Sequence, residues 1–75
     1  MTVEEIIGKV FSIDPSAIND ASARDSINGW DSMGHLSLIL ELEAAFEVSI
    51  PISDAFEMDS VSHIKQKLRN YGVHC

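Results

Sequence analysis

Apolar side chains recur three and four residues apart at the start of the chain, which predicts a first helix with one buried face. Thr2 and Glu5 have the spacing of a capping box at its N-terminus. Gly8 lies inside this helix and is expected to weaken it by about 1 kcal/mol relative to alanine. Asp14-Pro15 ends the helix, and Pro15 is expected to open a short turn. The predicted buried face consists of Val3, Ile6, Ile7, Val10 and Phe11.

A long connection follows, from residue 13 to residue 31, and it is rich in Ser, Asn, Asp and Gly. We expect Ile18 and Ile27 to anchor it to the core. Asn28-Gly29 predicts a turn directly before the next helix. Because structureless loops of this length are uncommon in so small a domain, the connection is a candidate functional segment.

The strongest helical pattern covers residues 32 to about 47, with Asp31 as the predicted N-cap. Two apolar stripes run along this helix. The stripe predicted to face the core contains Leu38, Ile39, Leu42, Ala45 and Phe46. The second stripe contains Met33, Leu36 and Leu40, interleaved with Glu43 and Glu47. Because a surface helix needs only one buried stripe, the second is a candidate docking face.

A short helix or turn is expected to begin at Ser53, after Ile50-Pro51, and to end near Glu57 with Ala55 and Phe56 facing inward. Asp59 or Ser60 then caps a last helix that ends at Gly72. Its inward residues are predicted to be Val61, Ile64, Leu68 and Tyr71. No strand alternation is visible. The pattern therefore predicts an all-α bundle of three main helices plus one short helix, with a long first loop, in a single domain of residues 1–75.

Charge narrows the class of partner. The chain has 12 Asp and Glu residues against 5 Lys and Arg, a formal net charge of −7. Residues 31 to 59 contain seven of the acids and no Lys or Arg. Nucleic-acid phosphates and anionic membranes repel such a surface, so we expect neither as the main partner. A basic protein surface is the electrostatic complement.

Cys75 is the only cysteine, which excludes an internal disulfide framework and a multi-cysteine zinc site. No apolar run has the length of a membrane span, and no signal-peptide pattern begins the chain. We therefore expect a cytoplasmic protein, and a monomer.

The candidate chemistry lies where the second helix begins, in Gly29-Trp30-Asp31-Ser32-Met33. The Ser32 hydroxyl would be exposed there, and the N-terminus of a helix favours an attached anion. The position suits a phosphodiester link to Ser32. On composition alone, Asp-Ser before a helix is most often only a cap.

The second helix resembles that of the acyl carrier protein family and, more broadly, of the phosphopantetheine-dependent carrier domains of fatty-acid, polyketide and nonribosomal peptide synthesis. The family signature is Asp-Ser-Leu at the start of this helix, and Met33 stands in the leucine place. The likeness covers nearly the whole chain. It rests on Asp14-Pro15, Trp30-Asp31-Ser32-Met33, Leu36, Leu40, Leu42, Glu43, Phe46, Ile50-Pro51 and Asp59-Ser60-Val61.

The resemblance implies that a separate phosphopantetheinyl transferase attaches phosphopantetheine from coenzyme A to Ser32, with Asp31 helping to position Ser32 and the metal-bound donor. The arm would carry an acyl or aminoacyl group as a thioester between loading, condensing or transferase enzymes with basic docking surfaces. The protein itself would be a carrier and not an enzyme. The partner-facing residues implied by the family are Met33, Leu36, Leu40, Glu43 and Glu47, in agreement with the second stripe.

Two departures from the family pattern favour a specialised pathway over housekeeping fatty-acid synthesis. Gly34 and Ser37 occupy places where many fatty-acid carriers have acids, and His35 adds a titratable group. The Trp30-Asp31-Ser32 form is also similar to that of carriers from modular peptide and specialised pathways. An aminoacyl or peptidyl carrier of a nonribosomal-peptide-type pathway therefore stays open as an alternative.

Other interpretations rest on the same residues. Asp31, Ser32 and His35 could form a hydrolytic triad, but the chain lacks a Gly-x-Ser-x-Gly elbow. Asp31 and His35 could supply two metal ligands, but no further ligand has a helpful spacing, so no metal site is predicted. The main alternative is an acidic protein-interaction module in which Ser32 is never modified.

Overall fold

Three long helices and one short helix make up the computed structural model, which describes residues 1–75. The helices are α1 (Val3–Phe11), α2 (Ser32–Phe46), α3 (Ile52–Ala55) and α4 (Val61–Asn70), with a single 3₁₀ turn at Pro15–Ala17. The only β-type pairing is an isolated bridge between Ala23 and Ser60. The predicted all-α architecture with a long first loop is confirmed.

The predicted capping box closes the start of α1. The Glu5 amide donates to Thr2 Oγ1 at 3.1 Å, and the Thr2 amide donates to Glu5 Oε1 at 2.9 Å. The hydrogen bond from the Thr2 backbone lowers the pKa of the Glu5 carboxyl below its usual value. A Cβ at Gly8 would lie 2.5 Å from the Ile13 carbonyl oxygen. The chain leaving α1 therefore requires glycine at this position, and helix propensity alone does not explain it.

The core is one cluster of 14 buried apolar residues drawn from the long helices and their connections. Ile18 and Ile27 anchor the first loop, as predicted. Trp30 and Met58 are also buried, 3% and 0% exposed, although the spacing pattern did not assign them to the core. The buried residues of the long helices are Val3, Ile6 and Ile7 in α1, Leu38, Ile39 and Leu42 in α2, and Val61, Ile64 and Leu68 in α4.

Two details of the predicted core and the predicted start of the short helix are wrong. Ala45 is exposed, since it lies at the edge of the buried stripe of α2. Phe56, which follows the single turn of α3, is 77% exposed and faces solvent. α3 also begins at Ile52, after Pro51, and not with a Ser53 cap.

Side-chain hydrogen bonds attach α4 to the rest of the bundle. Ser60 caps α4 by accepting from the His63 amide at 3.2 Å, and Tyr71 is half-buried at the other end. The Tyr71 hydroxyl donates to Asp54, and Lys67 Nζ lies 3.2 Å from the same carboxylate. Burial, and then the hydrogen bond to Asp54, raises the pKa of Tyr71 to about 12.

Each lysine of the chain is paired with an acid of the chain. Lys65 Nζ lies 2.8 Å from both Glu4 and Asp20, and Lys9 Nζ lies 3.0 Å from Glu41. Lys67 pairs with Asp54 on α3, as described above.

None of the helices combines the length and apolar character that crossing a bilayer requires.

Candidate functional site

Ser32 is the first residue of α2, and its side chain is exposed. Asp31 is the N-cap, and its Oδ1 accepts from the Gly34 amide at 2.8 Å. Because Asp31 accepts from the Gly34 amide, which has no partner within the helix, the Ser32 hydroxyl is not needed as a cap. Ser32 Oγ makes no hydrogen bond within the chain. The free backbone N–H groups of the first turn make this end of α2 electrostatically positive.

The loop before Ser32 is fixed by Trp30. Its ring is buried and packs on Phe11, with ring centroids 5.4 Å apart and an interplanar angle of 24°. Arg24 Nε donates to the Trp30 carbonyl at 3.3 Å, and Trp30 Nε1 donates to His35 Nδ1 at 2.9 Å. The residue two positions before Ser32 is therefore held from three sides.

Gly34 brings the first turn of α2 against this loop. A Cβ at Gly34 would lie 2.3 Å from the Gly29 carbonyl oxygen and 2.8 Å from Phe11 Cε1. Packing therefore explains why residue 34 is a glycine. The close approach contributes to the position of Ser32 relative to the loop.

The apolar members of the predicted docking face lie on the surface. Met33 is 80% exposed, Leu36 60% and Leu40 55%. The two acids of the same stripe differ from them. Glu43 is half-buried, and its Oε2 accepts from the Ile50 amide at 2.8 Å. Glu47 lies just beyond the helix as its C-cap and is exposed.

A groove of about 320 Å³ runs between α2 and α3, and Ser32 lies on its edge. Its walls are mainly apolar. Ile52 and Phe56, 74% and 77% exposed, extend the exposed apolar surface from α2 to α3. Sequence reasoning missed both, because four residues of helix are too few to show a periodic pattern. The principal lining residues are Leu36, Ile39, Leu40, Ile50, Ile52 and Phe56.

The geometry disfavours the hydrolytic and metal-binding alternatives. Both ring nitrogens of His35 are engaged, Nδ1 with Trp30 and Nε2 with the Ala55 carbonyl oxygen at 2.7 Å. The imidazole is therefore not hydrogen-bonded to Ser32 and is not placed to act as its base. No group of three or more His, Cys, Asp or Glu side chains is arranged to hold a metal ion.

Comparison with known proteins decides the family. A family sequence model described as a phosphopantetheine attachment site matches residues 2–68. The chain belongs to the acyl carrier protein family. Over 70 residues the carrier is 30% identical to an acyl carrier protein of Campylobacter concisus, covering 93% of this chain and 91% of that protein.

Two further similarities extend the comparison. The carrier is 43% identical over 58 residues to a D-alanyl carrier protein of Streptococcus uberis, with 72% of each chain covered. The solution NMR structure of a holo acyl carrier protein from Geobacter metallireducens superposes with a TM-score of 0.74 at 22% identity, covering 97% of this chain and 90% of that one. The structural match bears on the fold alone.

The covalent group of this family is phosphopantetheine, and the start of α2 has the features such a group needs. It offers an exposed serine hydroxyl with no internal partner and a helix N-terminus that favours a phosphodiester. The apolar groove between α2 and α3 lies next to that hydroxyl.

Proposed function

We propose that Ser32 is the attachment point of phosphopantetheine and that the carrier moves acyl or aminoacyl cargo between enzymes of a biosynthetic pathway. The observation that carries this proposal is the free, exposed Ser32 hydroxyl at the start of α2, with Asp31 already serving as the cap. A phosphopantetheinyl transferase supplies the group from coenzyme A. When attached, the group supplies a terminal thiol that holds cargo as a thioester.

The residues around Ser32 present the hydroxyl and do not activate it. Asp31 uses one carboxylate oxygen for the Gly34 amide, which leaves the other available to the transferase and its metal-bound donor. The positive end of α2 stabilises the phosphodiester charge by about 0.3–1 kcal/mol. Because His35 is engaged elsewhere, the acid–base chemistry comes from the transferase, and the carrier acts as a substrate and not as an enzyme.

The docking face of the proposed carrier is Met33, Leu36 and Leu40 on α2, with Glu47 at the end of the helix. Glu43 also belongs to this face, although its carboxylate is bonded to the Ile50 amide. Partner enzymes with an apolar patch and a basic rim complement such a surface. The same proposal includes a monomeric, cytoplasmic protein in which residues 1–75 act as one carrier domain.

An aminoacyl cargo is the second candidate. It is supported by the 43% identity to a D-alanyl carrier protein, whereas the longer alignment is to an acyl carrier protein. Incubating the phosphopantetheinylated protein with adenylating enzymes, using D-alanine in one arm and fatty acids in another, separates the two by the mass added. Loading of fatty acid without loading of D-alanine excludes D-alanine as the cargo.

The attachment itself is tested by co-expression with a phosphopantetheinyl transferase, followed by intact-protein mass spectrometry. We expect a gain of one phosphopantetheinyl group in the wild type and in Ser37→Ala, and no gain in Ser32→Ala. Ser37 is the matched control, since it is an exposed serine of the same helix. A folded wild type that gains no mass with several transferases would favour the unmodified interaction module.

A further inference from the structure

Hydrogen bonds and an ion pair hold α3 in place, since its own side chains bury little apolar surface. None of its four residues is buried, and the exposed Ile52 and Phe56 contribute little to the core. On the α4 side, Asp54 binds the Tyr71 hydroxyl and Lys67. On the α2 side, the hydrogen bond of His35 to the Ala55 carbonyl is the corresponding attachment.

His35 can make both of its hydrogen bonds in only one form. The indole N–H of Trp30 can only donate, so Nδ1 of His35 must be unprotonated to accept it. The proton of the neutral ring is then on Nε2, which donates to the Ala55 carbonyl oxygen. The two ring planes are nearly parallel, with an interplanar angle of 17° and centroids 6.2 Å apart, and the hydrogen bond between Trp30 Nε1 and His35 Nδ1 is 2.9 Å long. Trp30 therefore fixes the form of His35 that binds α3.

We propose that His35 is a positioning residue that fixes α3 against α2 and so sets the shape of the groove beside Ser32. His35 lies three residues after Ser32, and its side chain and Ala55 line that groove. The bond from His35 Nε2 is the only hydrogen bond that joins α2 to the single turn of α3. The significance of the groove for the carrier rests on the function proposed for Ser32.

Two substitutions separate the two bonds of the ring. His35→Asn places an amide oxygen near the position of Nδ1 and can still accept from Trp30, but it has no atom that reaches Ala55. His35→Gln reaches the position of Nε2 with an N–H donor and keeps the bond to α3. His74→Asn, in the exposed tail, is the matched control.

Amide hydrogen exchange by NMR measures how easily the turn of α3 opens. The reporter amides are those of Ala55, Phe56 and Met58, which bond to carbonyls of residues 51, 52 and 55. In His35→Asn we expect these amides to exchange roughly two- to tenfold faster, the factor expected for one lost hydrogen bond. The Ile64 amide in α4 is expected to keep its rate. His35→Gln and His74→Asn are expected to leave all four rates within about twofold, a change smaller than one hydrogen bond gives.

The same samples report on the other bond and on the groove. The Trp30 indole N–H signal is expected to shift more in His35→Gln than in His35→Asn. Methyl signals of Ile39 and Ile50, which line the groove, are expected to shift in His35→Asn. A merely structural role of the ring would move all of these signals together with those of α4.

Several outcomes would overturn the proposal. These are unchanged α3 exchange in His35→Asn, equal acceleration of the Ile64 amide, equal acceleration in His35→Gln, or a His35→Asn chain that does not fold. The exchange experiment uses the unmodified protein, so it does not depend on attachment at Ser32. Failure of the mass-gain experiment with normal behaviour of α3 would refute only the proposed function.

Discussion

Replacing Gly34 by alanine separates the effect of helix propensity from that of packing. Within a helix, alanine is favoured over glycine by about 1 kcal/mol, so propensity alone predicts stabilisation at Gly34, the third residue of α2. In the structure the new Cβ would lie 2.3 Å from the Gly29 carbonyl oxygen. Ordinary contact between such atoms needs about 3.5 Å. The first turn of α2 or the preceding loop must therefore move by about 1 Å, the difference between these two distances.

The magnitude follows from what obstructs the new atom. Phe11 Cε1, at 2.8 Å, belongs to a side chain that can rotate, but the Gly29 carbonyl is backbone in the turn before Trp30. Overpacking typically costs about 1–3 kcal/mol, and the backbone obstacle places this site at the upper end. After the propensity gain, we expect Gly34→Ala to lower the free energy of unfolding by about 2 kcal/mol.

Urea unfolding followed by circular dichroism measures this loss. With a slope near 1 kcal/mol per molar urea for so small a protein, the midpoint should fall by about 2 M. Ser37→Ala, at an exposed position of the same helix, should leave the midpoint unchanged or raise it slightly. The attachment rate at Ser32 should also fall in Gly34→Ala, because the hydroxyl moves with the helix start. A Gly34→Ala protein as stable as the wild type would refute the packing argument.

Three further predictions follow from other positions. Leu42→Ala, at a fully buried site, should lower the free energy of unfolding by about 3–5 kcal/mol. Leu40→Ala should change the free energy of unfolding little and should impair use by partner enzymes. Equal losses of stability in urea unfolding would show that the two faces of α2 are misassigned. Glu43→Ala should cost about 1–3 kcal/mol, because the Ile50 amide loses its acceptor; an unchanged urea midpoint would contradict this. The pKa of Tyr71 is raised to about 12, so its contribution to stability should be complete below the ordinary tyrosine pKa and lost as the pH rises through about 12. A tyrosinate absorbance midpoint at the ordinary tyrosine pKa would contradict this prediction.

The long helices could be predicted from sequence because their signals are local. Spacing of three and four residues identified the buried faces of α1, α2 and α4, and the caps at Thr2, Asp31 and Ser60 act within three residues of their partners. The position of the Ser32 hydroxyl at a helix start follows from the same information. These features need no knowledge of how the chain returns on itself.

Contacts between residues further apart in sequence could not be predicted. The hydrogen bond that the Glu43 carboxylate accepts from the Ile50 amide, seven residues further along, was not foreseen, and the place of Glu43 in the docking face stays a prediction. His35 was considered as a titratable group, a triad member and a metal ligand, but its hydrogen bond to Ala55, 20 residues away, was not predicted. Phe56 was predicted to face inward, and one turn of helix is too short for a periodic pattern to test that prediction. Met58, three residues after the end of α3, is buried in the core, and no spacing pattern predicted this.

The internal pairing of the lysines has a kinetic consequence for the proposed docking to partner enzymes. Lys9, Lys65 and Lys67 each lie beside carboxylates of their own chain. Their positive charges are therefore largely neutralised within the protein and contribute little to the potential outside it. Exposed acids at the two ends of α2, Asp31 and Glu47, are left to attract a basic partner over a Debye length of about 8 Å at physiological salt. Arrival should therefore slow as salt increases, whereas the residence time set by the apolar contact should change little. Fast encounter and brief occupancy are thus controlled by separate parts of the surface.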